Sequence, residues 1–242
     1  MPRKTRMYLP GVPAHVVQRG HNRTACFFSE DDHLYYLECL GQGLRRYGVR
    51  LHAYVLMTNH VHLLMTPDED SSISRLMQHV GRLYVLYVNK RYRRSGALFE
   101  GRHKASLVAA DDYLLICYRY IEMNPVAAGM VQSPEQYRWS SYHHHAWGKI
   151  NSLIRDHELY LELDREPAAR QYAYQELFKH QLPEAKLHDI RECLAYNYPL
   201  GNERFREEIE TALGRRVGER KRGRPAARDS AAQTLITATP LT

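Results

Sequence analysis

Two apolar segments with only two residues between them constrain the fold of this chain more than any other feature. Residues 51–57 (LHAYVLM) and 60–65 (HVHLLM) each have the length and composition of a strand. Thr58 and Asn59 between them suit a tight turn. The sequence therefore predicts an antiparallel hairpin at this point.

The segments on either side of the hairpin predict the rest of a domain. Periodicity and capping residues indicate a strand at 14–19, a helix from the capping sequence at 29–32 to Gly48, a long helix from Ser71 or Ser72, a strand near 104–108, and a helix that Asp111 caps and Pro125 ends. The order strand–helix–strand–strand–helix–strand–helix predicts an α+β domain with an antiparallel sheet covered by helices. We expect this domain to end between residues 132 and 147.

The C-terminal part of the chain has a different pattern. Residues 168–180, 183–195 and 202–213 predict helices, and the last two flank a turn rich in helix breakers at 196–201. This pair resembles a helix-turn-helix, although a plain helical hairpin has the same pattern. From residue 214 the composition predicts disorder. The expected division is a domain at 1–145, a helical and potentially DNA-binding region at 146–214, and a basic tail at 215–242.

Composition and charge narrow the class of protein. No apolar run of about 18 residues occurs in the 242-residue chain, which predicts no membrane span. Pro10, Pro13, His15 and Arg19 interrupt the segment after the basic start, which predicts no signal peptide. The four scattered cysteines favour a reduced, cytoplasmic compartment. The net charge of +7 is concentrated at 82–104 and 215–228, each with seven basic residues against one acidic residue. This segregation predicts a polyanionic partner, with two solvated charged stretches as the alternative.

The second half of the hairpin carries a pair of histidines. In a strand, His60 and His62 point to the same face with Cα atoms ~7 Å apart, so both imidazoles can converge on one metal ion. Val61 and Leu63 take the opposite, buried face. Because this spacing arises often by chance, two half-exposed sheet histidines remain the alternative.

The helix before Pro125 carries a tyrosine away from its apolar stripe. Tyr120 lies about 200° round the helix from Tyr118, which belongs to the stripe. Tyr113 shares the outward face. Asn124 lies one turn beyond Tyr120, where its amide oxygen can complete a hard-metal site. A phenol beside a metal-bound phosphate can act as a nucleophile, although an ordinary tyrosine and a C-cap asparagine fit the same residues.

These patterns occur together in a known order. His60-Val61-His62 resembles the motif of HUH endonucleases, and residues 120–126 (YIEMNPV) resemble the tyrosine helix of IS200-like Y1 transposases. The chain is most similar to REP-associated tyrosine transposases, a domesticated branch of that superfamily. Supporting segments are HVVQRGHNR at 15–23, MTNHVH at 57–62, FEGR at 99–102 and WSSY at 139–142. The resemblance covers roughly residues 5–145.

The resemblance implies a fold and an activity. It implies a ferredoxin-like, RRM-like core with the HUH strand at its centre, and cleavage of one DNA strand that leaves a 5′-phosphotyrosine and a free 3′-OH. His60 and His62 would bind Mg²⁺ or Mn²⁺, Tyr120 would be the nucleophile, and Asn124 would take the place of the third ligand, where relatives often have Gln. The expected function is a single-strand endonuclease and strand transferase that acts on palindromic or hairpin repeat DNA. Two alternatives are a hairpin-binding regulatory protein without turnover and a metallohydrolase that uses activated water.

Basic residues are the expected DNA contacts. The resemblance suggests that the region with Arg19, Asn22 and Arg23 grips DNA. The basic segment adds expected phosphate contacts at Arg82, Arg91, Arg93, Arg94, Arg102 and Lys104. Arg222 and Arg224 resemble an AT-hook core, with a solvated basic tail as the alternative. The protein is expected to act as a monomer or homodimer in the cytoplasm, associated with the nucleoid.

One further motif is a run of three histidines, His143 to His145. Such a run can bind metal, but no cysteine or acidic residue is close in sequence. A flexible surface segment is therefore the expected structure.

Overall fold

The computed structural model describes residues 6–217. The predicted disordered tail lies outside this range except for residues 215–217, and so do Arg222 and Arg224. In the described part of the chain, no helix is both long enough and apolar enough to cross a membrane.

A four-stranded antiparallel sheet forms the centre of the fold, in the order β2-β3-β1-β4. The strands are β1 (Ala14–Arg19), β2 (Val49–Met57), β3 (His60–Pro67) and β4 (Lys104–Leu107). Helix α1 (Glu30–Tyr47) connects β1 to β2, and helix α2 (Ser72–Arg91) connects β3 to β4. This is the ferredoxin-like arrangement, and the predicted α+β class and hairpin are confirmed.

The ends of α1 follow the predicted signals. Asp32 is fully buried and accepts hydrogen bonds from the backbone N–H groups of Phe28 (2.7 Å) and Ser29 (3.0 Å), which satisfies donors at the helix start. The hydroxyl of Tyr92, just beyond α2, also donates to Asp32 (2.8 Å). Gly48 ends the helix with φ 59°, a conformation that glycine adopts without strain.

The two faces of the sheet pack against different helices. Val61 and Leu63 on β3 point into an apolar cluster under α1 and α2. Leu64 points the other way, into a second cluster with helix α3 (Ala110–Glu122). Strand alternation explains this division, and it places His60 and His62 on the α3 side.

The structure corrects three details of the predicted tyrosine helix. Ala109, not Asp111, is the N-cap of α3, and Asp111 lies in the first turn. Pro125 does not simply end the helix, because it lies in the first turn of a short helix α4 (Asn124–Ala127), where proline is tolerated. Tyr113 does not face outward: it is buried, and its hydroxyl donates to Asp189 (3.0 Å).

The C-terminal half is helical, as predicted. Its helices are α5 (Tyr142–Trp147), α6 (Glu158–Leu161), α7 (Pro167–Phe178), α8 (Glu184–Tyr196) and α9 (Glu203–Leu213). Two short 3-10 turns lie earlier in the chain, at His21–Arg23 and Pro134–Gln136. Tyr174 of α7 and Ile190 of α8 pack in the same cluster as Tyr118 of α3. The division after residue 145 stays a prediction, although apolar contacts are continuous across it.

The breaker-rich turn between α8 and α9 covers an edge of the sheet. Leu200 forms a parallel bridge with Val108, its N–H donates to the carbonyl of Leu107 (2.7 Å), and its carbonyl accepts from Ala109 (2.8 Å). Backbone pairing of this kind protects an exposed edge strand. The turn therefore fixes α8 against β4, on the face of the sheet that carries the histidines.

Candidate functional site

The histidine pair lies on an inner strand of the sheet. His62 is paired with Val17 of β1 and Val55 of β2. The rings of His60 and His62 share one face, with centroids 4.9 Å apart. His62 is buried, while His60 remains partly exposed. The predicted shared face of the pair is present, and the role of the two rings as metal ligands stays a prediction.

Helix α3 brings Tyr120 to the same place. Its ring centroid lies 5.8 Å from that of His62. The amide nitrogen of Asn124 donates to the backbone carbonyl of Tyr120 (2.6 Å). The amide oxygen is therefore the atom of Asn124 that can serve as a metal ligand. The packing of α3 on this face of the sheet thus brings residues more than 50 positions apart in sequence to one site.

A cavity of about 440 Å³ joins these residues. Its lining comprises Val17, Arg19, Arg23, His60, His62, Glu100, Arg102, Lys104, Tyr120, Asn124, Arg191, Leu194 and Ala195. Five of these side chains are cationic and one is acidic. Such a concave, positively charged lining attracts anions, above all phosphates.

Burial keeps both histidine rings in the neutral form, which is the form that can bind a metal ion. Burial, with a smaller effect from the charge of Arg19, lowers the pKa of His60 to about 4. Burial also holds the pKa of His62 well below its ordinary value, and His15 and His60 add to this effect. The Nδ1 atom of His60 is hydrogen-bonded to Asn59 Oδ1 (2.6 Å), so Nε2 keeps its lone pair for a ligand.

A third histidine supports the pair and was not assigned a role from the sequence. His15 of β1 is fully buried, and its Nε2 is hydrogen-bonded to Nδ1 of His62 (2.8 Å). Burial lowers the pKa of His15 to about 3, so its ring is neutral and can accept this hydrogen bond. When His62 donates from Nδ1, its Nε2 lone pair faces the cavity. The sequence signal was available, since His15 begins one of the family-like segments.

We predict that His15→Ala weakens metal binding at this site. Loss of a partner that orients a ligand histidine costs about 10–100-fold in metal affinity. The measurement is Mn²⁺ binding to the chain by isothermal titration, with His52→Ala as control, because His52 is buried in the same sheet but bonds Thr66 instead. Equal affinity in His15→Ala and wild type would contradict the role given to His15.

Arg191 is the other residue that sequence reasoning missed. It comes from α8, lines the cavity, and is paired with Glu184 (3.2 Å). Burial raises the pKa of the Tyr120 phenol, whereas the nearby Arg191 and Arg19 charges work against that rise. No local pattern in α8 indicated this position, because only the packing of α8 over the sheet brings it to Tyr120.

The predicted DNA contacts fall into separate groups. Arg19, Arg23, Arg102 and Lys104 line the cavity beside the histidines. Asn22 is exposed in the 3-10 turn next to Arg23. The others lie along α2 and beyond it: Arg82 lines a second cavity with Arg102, Arg91 pairs with Asp31 (2.8 Å), Arg93 is exposed, and Arg94 lies over the ring of Phe28. The structure therefore brings four of the predicted cations to the histidine site and leaves the rest outside it.

The triple-histidine segment is not a flexible surface run. It forms half of α5, and His145 is fully buried with Nδ1 hydrogen-bonded to Glu122 (2.9 Å). The expectation was wrong because the acidic partners, Glu122 and Asp156, are distant in sequence and only the fold brings them close.

The fold and the cavity define a class of protein. A ferredoxin-like sheet with a His-x-His pair on an inner strand, faced by a tyrosine on a helix and by cationic side chains, is the arrangement expected of HUH-type proteins that process DNA. Residues 9–124 match the family described as transposase IS200 like. This match confirms the resemblance found in the motifs and supports a transposase-like DNA-processing role.

One solved structure has a similar fold, and others match more weakly. A REP-associated tyrosine transposase bound to a REP hairpin matches with a TM-score of 0.54 and 16% identity, over 65% of this chain and 92% of that chain. A putative transposase from Deinococcus radiodurans R1 matches with a TM-score of 0.36 and 21% identity, over 50% and 95% of the two chains. A bacterial tRNA(His) guanylyltransferase (Thg1)-like protein in complex with GTP matches with a TM-score of 0.35 and 13% identity, over 52% of this chain and 69% of that chain. No curated protein matches the chain.

Proposed function

We propose that the chain is a metal-dependent endonuclease and strand transferase for single-stranded or hairpin DNA, which acts through a 5′-phosphotyrosine. The observation that supports this proposal most directly is the shared cavity of His60, His62 and Tyr120. A pair of metal-ligand side chains, a nucleophile and a cationic lining are the components that a metal-assisted phosphoryl transfer needs.

The residues present fit a divalent cation. His60 and His62 offer two neutral imidazoles on one face, and Asn124 offers an amide oxygen beside them. Imidazole nitrogen suits Mn²⁺ better than an all-oxygen site would, while Mg²⁺ is accommodated through the oxygen ligand and water. When bound, the ion would polarise a phosphoryl oxygen and orient the phosphate for in-line attack.

Tyr120 supplies the nucleophile in this proposal. Its phenolic oxygen forms a bond to phosphorus and gives up its proton, while the bond from phosphorus to the 3′-oxygen of the preceding nucleotide breaks and that oxygen takes up a proton. The products are a 5′-phosphotyrosine and a free 3′-OH. Because the covalent link retains the phosphodiester's energy, attack by a 3′-OH reverses the step and rejoins strands without a nucleotide cofactor.

Cationic side chains would hold the DNA around the scissile phosphate. Arg19, Arg23, Arg102 and Lys104 line the cavity, and contacts to phosphates position a strand without reading its sequence. A hairpin is the substrate we propose, since the transposase with the similar fold was solved with a REP hairpin. His62 and Tyr120 of one chain lie in one cavity, which favours cleavage by a monomer or by each subunit of a homodimer independently. Cytoplasmic, nucleoid-associated action stays a prediction.

The competing proposal is a hairpin-binding protein without turnover. Incubation of the chain with labelled hairpin DNA and Mn²⁺, followed by a denaturing gel, separates the two. The nuclease predicts a cut strand and a covalent protein–DNA adduct, whereas binding alone predicts a shift only on a native gel. Absence of both products over a series of hairpin sequences would favour the binding protein.

We predict that the basic tail sets affinity but not cleavage position. Deletion of residues 215–242 removes seven basic residues, and each lost phosphate contact makes the slope of log K against log salt shallower by roughly 0.7–0.9. Binding measured at several salt concentrations tests this. Deletion of 229–242, which contains no lysine or arginine, is the matched control. An unchanged slope in the longer deletion, or a moved cleavage site, would contradict the prediction.

A further inference from the structure

A second cluster of ligand-type side chains lies on the far side of α3. The ligand atoms of His144, His145 and Asp156 all lie within 4.8 Å of one another. Asp156 Oδ1 is 3.1 Å from Nε2 of His144 and 3.8 Å from Nε2 of His145. In a tetrahedral zinc site, where ligand bonds are ~2.0–2.1 Å, neighbouring ligand atoms are about 3.3 Å apart. The two distances to Asp156 are thus within about half an ångström of that spacing.

The other nitrogen of each histidine is already engaged. Nδ1 of His144 is hydrogen-bonded to the carbonyl of Lys149 (3.2 Å), and Nδ1 of His145 is hydrogen-bonded to Glu122 (2.9 Å). Since a carbonyl and a carboxylate accept hydrogen bonds, both Nδ1 atoms donate. In neutral His145 the lone pair is therefore on Nε2, whereas Nε2 of His144 is hydrogen-bonded to Asp156 (3.1 Å) and would release its proton when it binds a cation.

His145 supplies an independent sign of a missing ligand. Its side chain is fully buried, and its Nε2 has no hydrogen-bond partner among the residues that the structure describes. A buried polar atom without a partner costs free energy, and such atoms are rare in native proteins. A cation bound between His145 and Asp156 would satisfy this nitrogen.

The surroundings resemble the outer shell of a metal site. Glu122 is fully buried and accepts hydrogen bonds from His145, from the hydroxyl of Ser141 (2.6 Å) and from the hydroxyl of Tyr174 (2.7 Å). A carboxylate behind a ligand histidine fixes its ring and makes it more basic.

We propose that His144, His145 and Asp156 form a second metal site, which takes Zn²⁺ or a similar borderline transition ion. Two imidazoles and one carboxylate select this class over Mg²⁺ or Ca²⁺, which prefer oxygen ligands. The fourth position is open to water, because Asp156 is partly exposed.

A metal ion at this site would affect helix α3, which carries Tyr120. Glu122 lies two residues after Tyr120 on α3, and its partners come from α5 and α7. A cation at His145 would therefore connect the end of α3 to the C-terminal helices through Glu122. Its role in this proposal is to hold these elements together, separate from any ion held by His60 and His62.

The test uses the full chain carrying His60→Ala and His62→Ala, so that the other proposed site cannot bind metal. After chelator treatment, zinc per chain is measured by elemental analysis, and affinity by competition with a chromophoric indicator. We expect one zinc ion per chain and a rise in thermal unfolding temperature on zinc addition. Absence of bound zinc in this background would overturn the proposal.

Variants then locate the ion. Asp156→Asn and His144→Ala alter partly exposed side chains and are each expected to weaken zinc binding by roughly tenfold or more. His143→Ala, which changes a neighbouring histidine outside the cluster, is the matched control and should bind as the background does. Circular dichroism verifies that each variant is folded. Unchanged affinity in both Asp156→Asn and His144→Ala would place the zinc elsewhere and contradict the site.

Discussion

Tyr120→Phe is expected to abolish both DNA cleavage and the covalent protein–DNA adduct while leaving hairpin affinity close to wild type. The substitution removes only the phenolic oxygen and keeps the ring that packs against His15 and His62. Loss of a nucleophile typically costs on the order of 10⁴-fold or more in rate. Cleavage is measured on a denaturing gel and affinity on a native gel with the same hairpin.

Two neighbouring tyrosines are matched controls for this experiment. Tyr118 is fully buried beside Tyr174 and His145, and Tyr113 is buried with its hydroxyl bonded to Asp189. Along α3, Tyr113 lies about 10 Å from Tyr120. Tyr118→Phe and Tyr113→Phe should therefore still form the adduct.

Peptide mapping of the trapped wild-type adduct gives the decisive result. The nucleotide should be found on Tyr120. Residual cleavage without adduct in Tyr120→Phe would instead favour attack by water, as in a metallohydrolase.

Removal of the metal site is expected to have the second large effect. His60→Ala and His62→Ala should each lower Mn²⁺ affinity and cleavage by at least about 100-fold, because each removes one of the two imidazoles on the shared face. EDTA should eliminate cleavage by the wild type, and added Mn²⁺ should restore it. His79→Ala is a control on α2, on the opposite side of the sheet. Full activity in EDTA would remove metal from the proposed mechanism.

The pH dependence of Mn²⁺ binding provides a separate check on the site. Because burial and Arg19 lower the pKa of His60 to about 4, the ring stays neutral well below the ordinary histidine value of ~6.5. Protons compete with metal only as the pH falls through the lowered pKa. Mn²⁺ affinity should therefore change little between about pH 7.5 and 6, as measured by titration calorimetry. A steep loss centred near pH 6.5 would show that His60 is not held in its neutral form.

The sequence determined the local geometry of this protein. Strand alternation placed His60 and His62 on one face, and the helical period separated Tyr120 from Tyr118. Capping residues gave the ends of α1 at Ser29 and Gly48. These features depend on residues a few positions apart, so their physical causes are present in any short segment. The order of elements then permitted few topologies besides the ferredoxin-like one.

Tertiary structure alone decided which distant groups meet. The hydrogen bond between His15 and His62 joins residues 47 positions apart in sequence, and it follows from the β1–β3 register. Arg191 reaches the cavity because the turn at Leu200 fixes α8 beside β4. Glu122 and Asp156 surround His145 because α3, α5 and the segment before α6 pack together. Such contacts depend on the register and packing of whole elements, which no local period encodes. The sequence therefore indicated His60, His62 and Tyr120 as candidates but not the groups that orient and surround them.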